Sequence, residues 1–273
     1  MFTSIHPFPG VTHITDLMGV SFTLIEGTEN ALLFDAGYGL ENVQSYVRSV
    51  TDKPVKVLLS HGHHDHVLGA RWFSETYLCA EDMEEFLIRT GSDQRSKVIK
   101  QAESQSIPVP ADYLDSEIPQ PWPVLFTNKT GHFDSLTEQL GNLEIQVIRV
   151  PGHTSGSIVL YIPEYRLLLT GDDWNPCTWM WFPCSLPATV WRENMLSLIR
   201  ILEKNDHDTI EAVLCSHQPM LRKGSEMKNF LCYMTDNQMK TAAHIDMGAP
   251  VNTCAVRKEP EGWTLIFDRD KII

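Results

Sequence analysis

Six consecutive residues, His61-Gly62-His63-His64-Asp65-His66, constrain this chain more than any other stretch. They follow directly on Val55-Lys56-Val57-Leu58-Leu59-Ser60, a short apolar run ending in a small residue, which reads as a buried strand. Residues 67–71 can begin a helix. The polar cluster then sits on the loop leaving the carboxyl end of a strand, where open α/β sheets hold their ligands. His61 and His63 are two apart, so on an extended or tightly turned backbone both rings can point to one side. Asp65 and His66 follow at once and can face a second ion. Imidazole nitrogen suits zinc, iron and similar metals, and carboxylate oxygen suits a harder position. A histidine-rich tract without a specific role belongs in low-complexity sequence. Here the flanking composition is varied and the run is fused to a strand pattern, so it predicts a metal site.

Three further candidate ligands repeat the same grammar of apolar strand, small residue, ligand. His153 lies in Pro151-Gly152-His153-Thr154-Ser155-Gly156 after the alternating run 143–150. Asp172 follows Leu167-Leu168-Leu169-Thr170-Gly171, and His217 follows Ala212-Val213-Leu214-Cys215-Ser216. A histidine at one strand end is commonplace. Three such residues, in order after a dense first cluster, point to one site.

On these residues the chain resembles the metallo-β-lactamase fold superfamily, in the style of its glyoxalase II-like hydrolases. The His-x-His-x-Asp-His motif stands at 61–66, and the family's third histidine, bridging aspartate and last histidine fall on His153, Asp172 and His217. Phe34-Asp35-Ala36-Gly37 corresponds loosely to an early Asp-Gly element, and the resemblance runs from about residue 12 to about residue 220. It implies an α/β (α+β) chain folded as a four-layer αββα sandwich. It implies that His61, His63 and His153 hold one divalent ion, that Asp65, His66 and His217 hold another, and that Asp172 bridges them. Asp35 would tie the ligand loop in place. Zinc is the first expectation for both ions, with iron or manganese as alternatives. Two such cations lower the pKa of a shared water from ~15.7 toward ~7, and the resulting bridging hydroxide attacks an electrophilic centre. Asp65 is the expected catalytic residue, orienting that water or moving a proton. The resemblance favours an ester, thioester or lactone of a small molecule as substrate. The alternatives are a mononuclear iron persulfide dioxygenase, using His61, His153 and Asp172, or a phosphodiesterase on the same site. A true β-lactamase is disfavoured, because those enzymes lack an aspartate bridging both metals and are exported.

Composition narrows the partners. The formal net charge of −13 argues against nucleic acid, which needs a basic patch. No window approaches the roughly 20 apolar residues of a membrane span, and the first residues carry no secretory pattern. A small-molecule substrate, a cytoplasmic location and a possible homodimer are expected. The six cysteines are scattered without a CxxC pair and read as reduced thiols.

The whole of 1–273 reads as one domain, with a polar, proline-studded insertion at about 91–123 and a C-terminal helix plus hairpin at about 225–268. Strands are predicted near 11–15, 20–26, 31–35, 55–59, 76–79, 123–127, 144–150, 157–162, 166–170 and 210–214. Helices are predicted at 41–50, 81–89, 188–204 and, as one long element, 225–244. The insertion is either an exposed connection or a partial lid. The stretch 174–182, read as a loop, holds Trp174, Trp179, Trp181 and Phe182 just past Asp172. These aromatics form either a substrate-pocket wall or an apolar packing or dimer surface.

Overall fold

The computed structural model of the protein describes residues 1–204 and 209–272. Its contacts divide it into two compact units. The first comprises Met1–Leu125, Thr137–Ile145 and Ser216–Met220, and the second comprises Phe126–Leu136, Gln146–Cys215 and Leu221–Ile273.

The first unit is built on a seven-stranded sheet, in the order Thr3–Phe8, Val11–Thr15, Ser21–Glu26, Ala31–Phe34, Val55–Leu58, Tyr77–Leu78, Trp122–Pro123. The first four strands run antiparallel and the remainder join in parallel. Ala31–Phe34 is buried along its whole length and Val55–Leu58 along its second half, as the apolar runs require. The two are neighbours, with Phe34 opposite Leu58. That register sets the residues beyond their carboxyl ends, Asp35 and Ser60-His61, side by side. Between the strands runs the helix Val43–Val50. Asn42 caps it by accepting from Ser45 N at 2.9 Å, and it buries Val43 and Val47, one turn apart, among Leu33, Val57 and Leu59. Each such side chain contributes roughly 1.5–3 kcal/mol through burial.

The insertion at 91–123 is more ordered than its composition suggests. It opens with a 13-residue helix, Ser92–Ser104, whose buried positions are Val98 and Ala102. Its proline-rich remainder is fastened to the unit. Tyr113 is buried, and its hydroxyl donates to the Tyr38 carbonyl at 2.7 Å. Arg95 Nη1 donates to the carbonyls of Tyr113 and Ser116 at 3.2 and 2.7 Å. The strand expected at 123–127 is reduced to Trp122–Pro123 at the end of the sheet, where a residue without an N–H does no harm.

The second unit carries most of another seven-stranded sheet, in the order Arg222–Lys223, Ala212–Leu214, Leu167–Leu169, Ile158–Ile162, Glu144–Arg149, Phe133–Gln139, Asn128–Thr130. It also holds a four-stranded sheet, Cys177–Met180, Trp263–Asp268, Thr253–Lys258, Ala243–His244. Its core gathers around the helix Ala188–Leu202, which buries Trp191, Met195, Leu198 and Leu202 against Trp174 and Phe230. The hairpin expected at the C-terminus is present as Thr253–Lys258 paired with Trp263–Asp268. The long helix expected at 225–244 is instead two helices, Gly224–Tyr233 and Asp236–Thr241. Thr235 breaks it by starting a new capping box with Gln238. Among the described residues the six cysteines are free thiols, and no helix is long and apolar enough to cross a membrane.

Candidate metal centre

The first unit brings together five of the expected ligands. A short helix, His64–Val67, begins inside the motif and turns the chain so that alternate residues converge. The His61 ring lies 4.7 Å from that of His63 and 4.1 Å from that of His66, centroid to centroid. Asp65 Oδ2 is 3.7 Å from His66 Nε2 and 3.6 Å from His217 Nε2. The residue between the first two histidines must be small. A Cβ on Gly62 would stand 2.9 Å from both Asp82 O and Phe86 N.

Asp35 organises this set from below. It is 1% exposed and its backbone is left-handed, at φ +69°, a conformation that aspartate tolerates better than most residues. Its Oδ1 accepts from Ser60 N at 2.6 Å, and its Oδ2 accepts from the Ser60 hydroxyl at 2.8 Å. Since that hydroxyl gives its proton to Asp35, it accepts from His61 Nδ1, 2.9 Å away. Asp35 Oδ2 also accepts from His66 Nδ1 at 2.9 Å. One carboxylate therefore places the proton on Nδ1 of both rings and leaves Nε2 of each as the basic nitrogen.

His63 is held differently. Its Nε2 is 3.5 Å from Glu85 Oε1, which also takes a hydrogen bond from Arg89 one turn further along the helix Met83–Thr90. Burial would raise the Glu85 carboxyl. The hydrogen bonds and charges of His63 and Arg89 outweigh that and hold it at about 2. Glu85 is an anchor that sequence reading missed, because nothing in Glu84-Glu85 marks one glutamate as different from its neighbour.

His217 lies beyond the strand Ala212–Leu214 and has no regular element around it. Its side chain is 39% exposed. The backbone on either side is held by the first sheet. Ser216 O accepts from Ser21 N at 2.6 Å, and Gln218 O accepts from His13 Nε2 at 2.9 Å.

The second unit positions the other two ligands. His153 Nε2 is 3.6 Å from Asp172 Oδ2. His153 Nδ1 donates to the Trp179 carbonyl at 2.8 Å, so here too Nε2 is the basic nitrogen. The backbone of His153 is fixed at both ends, its N–H donating to Asp173 Oδ1 and its carbonyl accepting from Ser185 Oγ, each at 2.8 Å. Asp172 sits in the turn after Leu167–Leu169, and its Oδ1 accepts from Asn175 Nδ2 at 3.1 Å. Asp173 and Asn175 were legible only as loop residues. Their roles depend on which way the turn at Gly171, φ +52°, aims the chain.

The aromatic stretch divides. Trp174 is fully buried, edge-on to Phe230 at 6.2 Å, and belongs to the core rather than to a pocket wall. Residues 177–180 are not a loop but a strand paired in parallel with Trp263–Asp268. Its alternation buries Thr178 and Met180 and turns Cys177 and Trp179 outward. Trp179, Trp181 and Phe182 form one cluster, with Trp181 stacked on Phe182 at 4.4 Å and Phe182 edge-on to the His153 ring at 5.5 Å.

Residues 15–217 match the family model described as the metallo-beta-lactamase superfamily. The acyl-coenzyme A thioesterase MBLAC2 of Gallus gallus is 25% identical over 255 residues, covering 86% of this chain and 82% of its own. Among solved structures, a metallo-beta-lactamase from Pontibacter korlensis superposes with a TM-score of 0.56 at 17% identity, over 85% of this chain and 98% of that one. The inverting sec-alkylsulfatase Pisa1 from Pseudomonas sp. gives 0.65 at 17% identity, over 88% of this chain and 42% of its own. The α/β fold class expected from the motif is the fold these structures share with this chain.

Proposed function

The chain belongs to the metallo-beta-lactamase superfamily, and on that footing we propose that it is a dinuclear-metal hydrolase that cleaves thioesters of small apolar acids. By the resemblance, His61, His63 and His153 would hold one cation, Asp65, His66 and His217 the other, and Asp172 would be shared. The observation that carries the reading is the proton placement on His61, His66 and His153. Each ring spends Nδ1 on a protein acceptor, directly or through Ser60, and so offers a neutral Nε2. That is the protonation state a cation requires, and the acceptors raise the basicity of the ligating nitrogen. The donor set, imidazole with two carboxylates, suits zinc and its neighbours.

Bound cations supply Lewis acidity, lowering the pKa of water and polarising a carbonyl oxygen. The protein supplies the rest. Asp65 is partly open to solvent and keeps Oδ2 within 3.7 Å of two of the ligand rings, where it can orient water and take its proton. Asn175 fixes the rotation of Asp172 by holding Oδ1. Trp179, Trp181 and Phe182 offer an apolar face beside His153 for the acyl chain. The similarity to an acyl-coenzyme A thioesterase supports a thioester over a lactone or phosphodiester.

Metal analysis of the purified protein and a panel of acyl thioesters, lactones, phosphodiesters and alkyl sulfates test this. Two divalent ions per chain and turnover of thioesters are expected. His63→Ala should lose metal, and Asp172→Ala should lose at least ~100-fold in kcat/KM while remaining folded. Wild-type turnover by Asp172→Ala would sink the bridging role. One iron per chain with oxygen consumption on persulfides would replace the hydrolase reading altogether.

A further inference from the structure

We infer that His13 is a positioning residue for the second cation, acting by holding the main chain beside His217. The inference rests on the proposed role of His217 as a ligand. His217 is the one expected ligand of the first unit outside the 61–66 motif, and it lies on an irregular segment, so something other than a helix or strand must fix it. The carbonyls immediately before and after it are both gripped. The first is held by a backbone amide, Ser21 N, and the second by a side chain, His13 Nε2.

The geometry of His13 fits this task. It is 2% exposed, on the strand Val11–Thr15. A carbonyl oxygen can only accept, so Nε2 must carry the proton that bonds Gln218 O. Nδ1 then has to be the acceptor, and a donor stands 2.9 Å away in Thr23 Oγ1. Thr23 is there because His13 and Thr23 are directly paired across the sheet. Burial pushes the His13 pKa down, against the smaller opposing effect of the Gln218 carbonyl, which favours the neutral ring this arrangement uses. The chain is thus Thr23 to His13 to Gln218, with His217 as the next residue back. Groups that hydrogen-bond a ligating side chain commonly change metal affinity by 10–100-fold when removed, and His13 acts one peptide further out.

The test uses the full-length protein loaded with zinc. Stoichiometry and the affinity of each site are measured by chelator competition, with folding followed by circular dichroism. Wild type should hold two ions, and His217→Ala should hold one. His13→Leu, which keeps bulk but has no donor, should weaken the site that His217→Ala empties, by several-fold or more, and leave the other unchanged. His13→Gln should recover most of that loss, because its amide can donate to Gln218 O at similar reach. Wild-type affinity in His13→Leu would overturn the inference. Equal weakening in His13→Leu and His13→Gln would overturn it too, showing that ring volume rather than the donor matters. If His13→Leu does not fold, Thr23→Val serves, since it leaves the ring but removes the hydroxyl that sets its tautomer. It should weaken the same site, and an unchanged affinity there counts against the inference. Two ions retained in His217→Ala would instead remove the ligand assignment on which the inference rests, whatever His13 does.

Discussion

Asp35 reaches Ser60 twice and His66 once, and through Ser60 it reaches His61. It can do so because its strand and the ligand strand are parallel neighbours and because its own backbone turns left-handed at the strand end. A half-buried carboxylate elsewhere in the first unit has a pKa raised by its surroundings. Asp16 accepts from Met18 N and Val20 N with one oxygen and from Tyr38 N with the other. Burial lifts it from 3.8 to about 6 in spite of those bonds. An acid with a raised folded-state pKa destabilises the fold once it must ionise. The penalty is absent below the unfolded value, grows between about pH 4 and 6, and is full above that. Relative to Asp16→Asn, wild type should therefore lose roughly 2–2.5 kcal/mol of unfolding free energy between pH 4 and 7, since each pKa unit is worth ~1.36 kcal/mol. Denaturant unfolding of both proteins across that range measures it, and parallel curves would show that Asp16 does not titrate there. The seven candidate ligands were legible because each follows an apolar strand, and strand ends are visible in sequence. Asp35 was legible only through the resemblance. Glu85, Asp173, Asn175 and His13 were not, because their roles depend on which residue a neighbouring turn or strand sets opposite them.

The element Cys177–Met180 carries two functions on one strand. Its backbone gives His153 a carbonyl acceptor, while its outward side chain, Trp179, joins Trp181 and Phe182. The two can be separated. Trp179→Ala keeps the main-chain carbonyl, so metal content should hold, whereas truncating a packed aromatic anchor typically costs ~2 kcal/mol, or about 30-fold in kcat/KM on apolar acyl thioesters. Trp181→Ala should behave alike. Kinetics paired with light scattering decide between this and an aromatic dimer contact, which would show as unchanged kinetics with a shift in mass. Sequence reading took 174–182 as a loop because parallel pairing with Trp263–Asp268 leaves no local sign. It missed Ser92–Ser104 because that helix buries little, and patterning reports only what is buried. The break at Thr235 did have a signal, Thr235-Asp236-Asn237-Gln238, hidden inside an otherwise helical run.

At the scale of the molecule, each unit has a core of its own, around Phe22, Leu33 and Phe86 in the first and Trp174, Trp191 and Phe230 in the second. Neither core uses a cation, so metal-free protein should stay folded but less stable. A ligand at 1,000 times its dissociation constant adds ~4 kcal/mol, and in a chain of this size each kcal/mol moves Tm by roughly 2–4 °C. Stripping the metals should thus lower Tm by about 8 °C or more, and an unchanged Tm in differential scanning calorimetry would argue that the purified protein carried no metal. The clasp around His217 has a consequence in time. Ser21 meets Ser216, and His13 meets Gln218, 205 residues later in the chain. At the usual 5–20 residues per second, a ribosome needs about 10–40 s to travel that distance. From the synthesis of His66 until that of His217, the His61–His66 cluster exists without its expected last partner. On the proposed ligand set, the nascent chain would offer a metal only part of its site until His217 is made, and a second cation would have to wait for it.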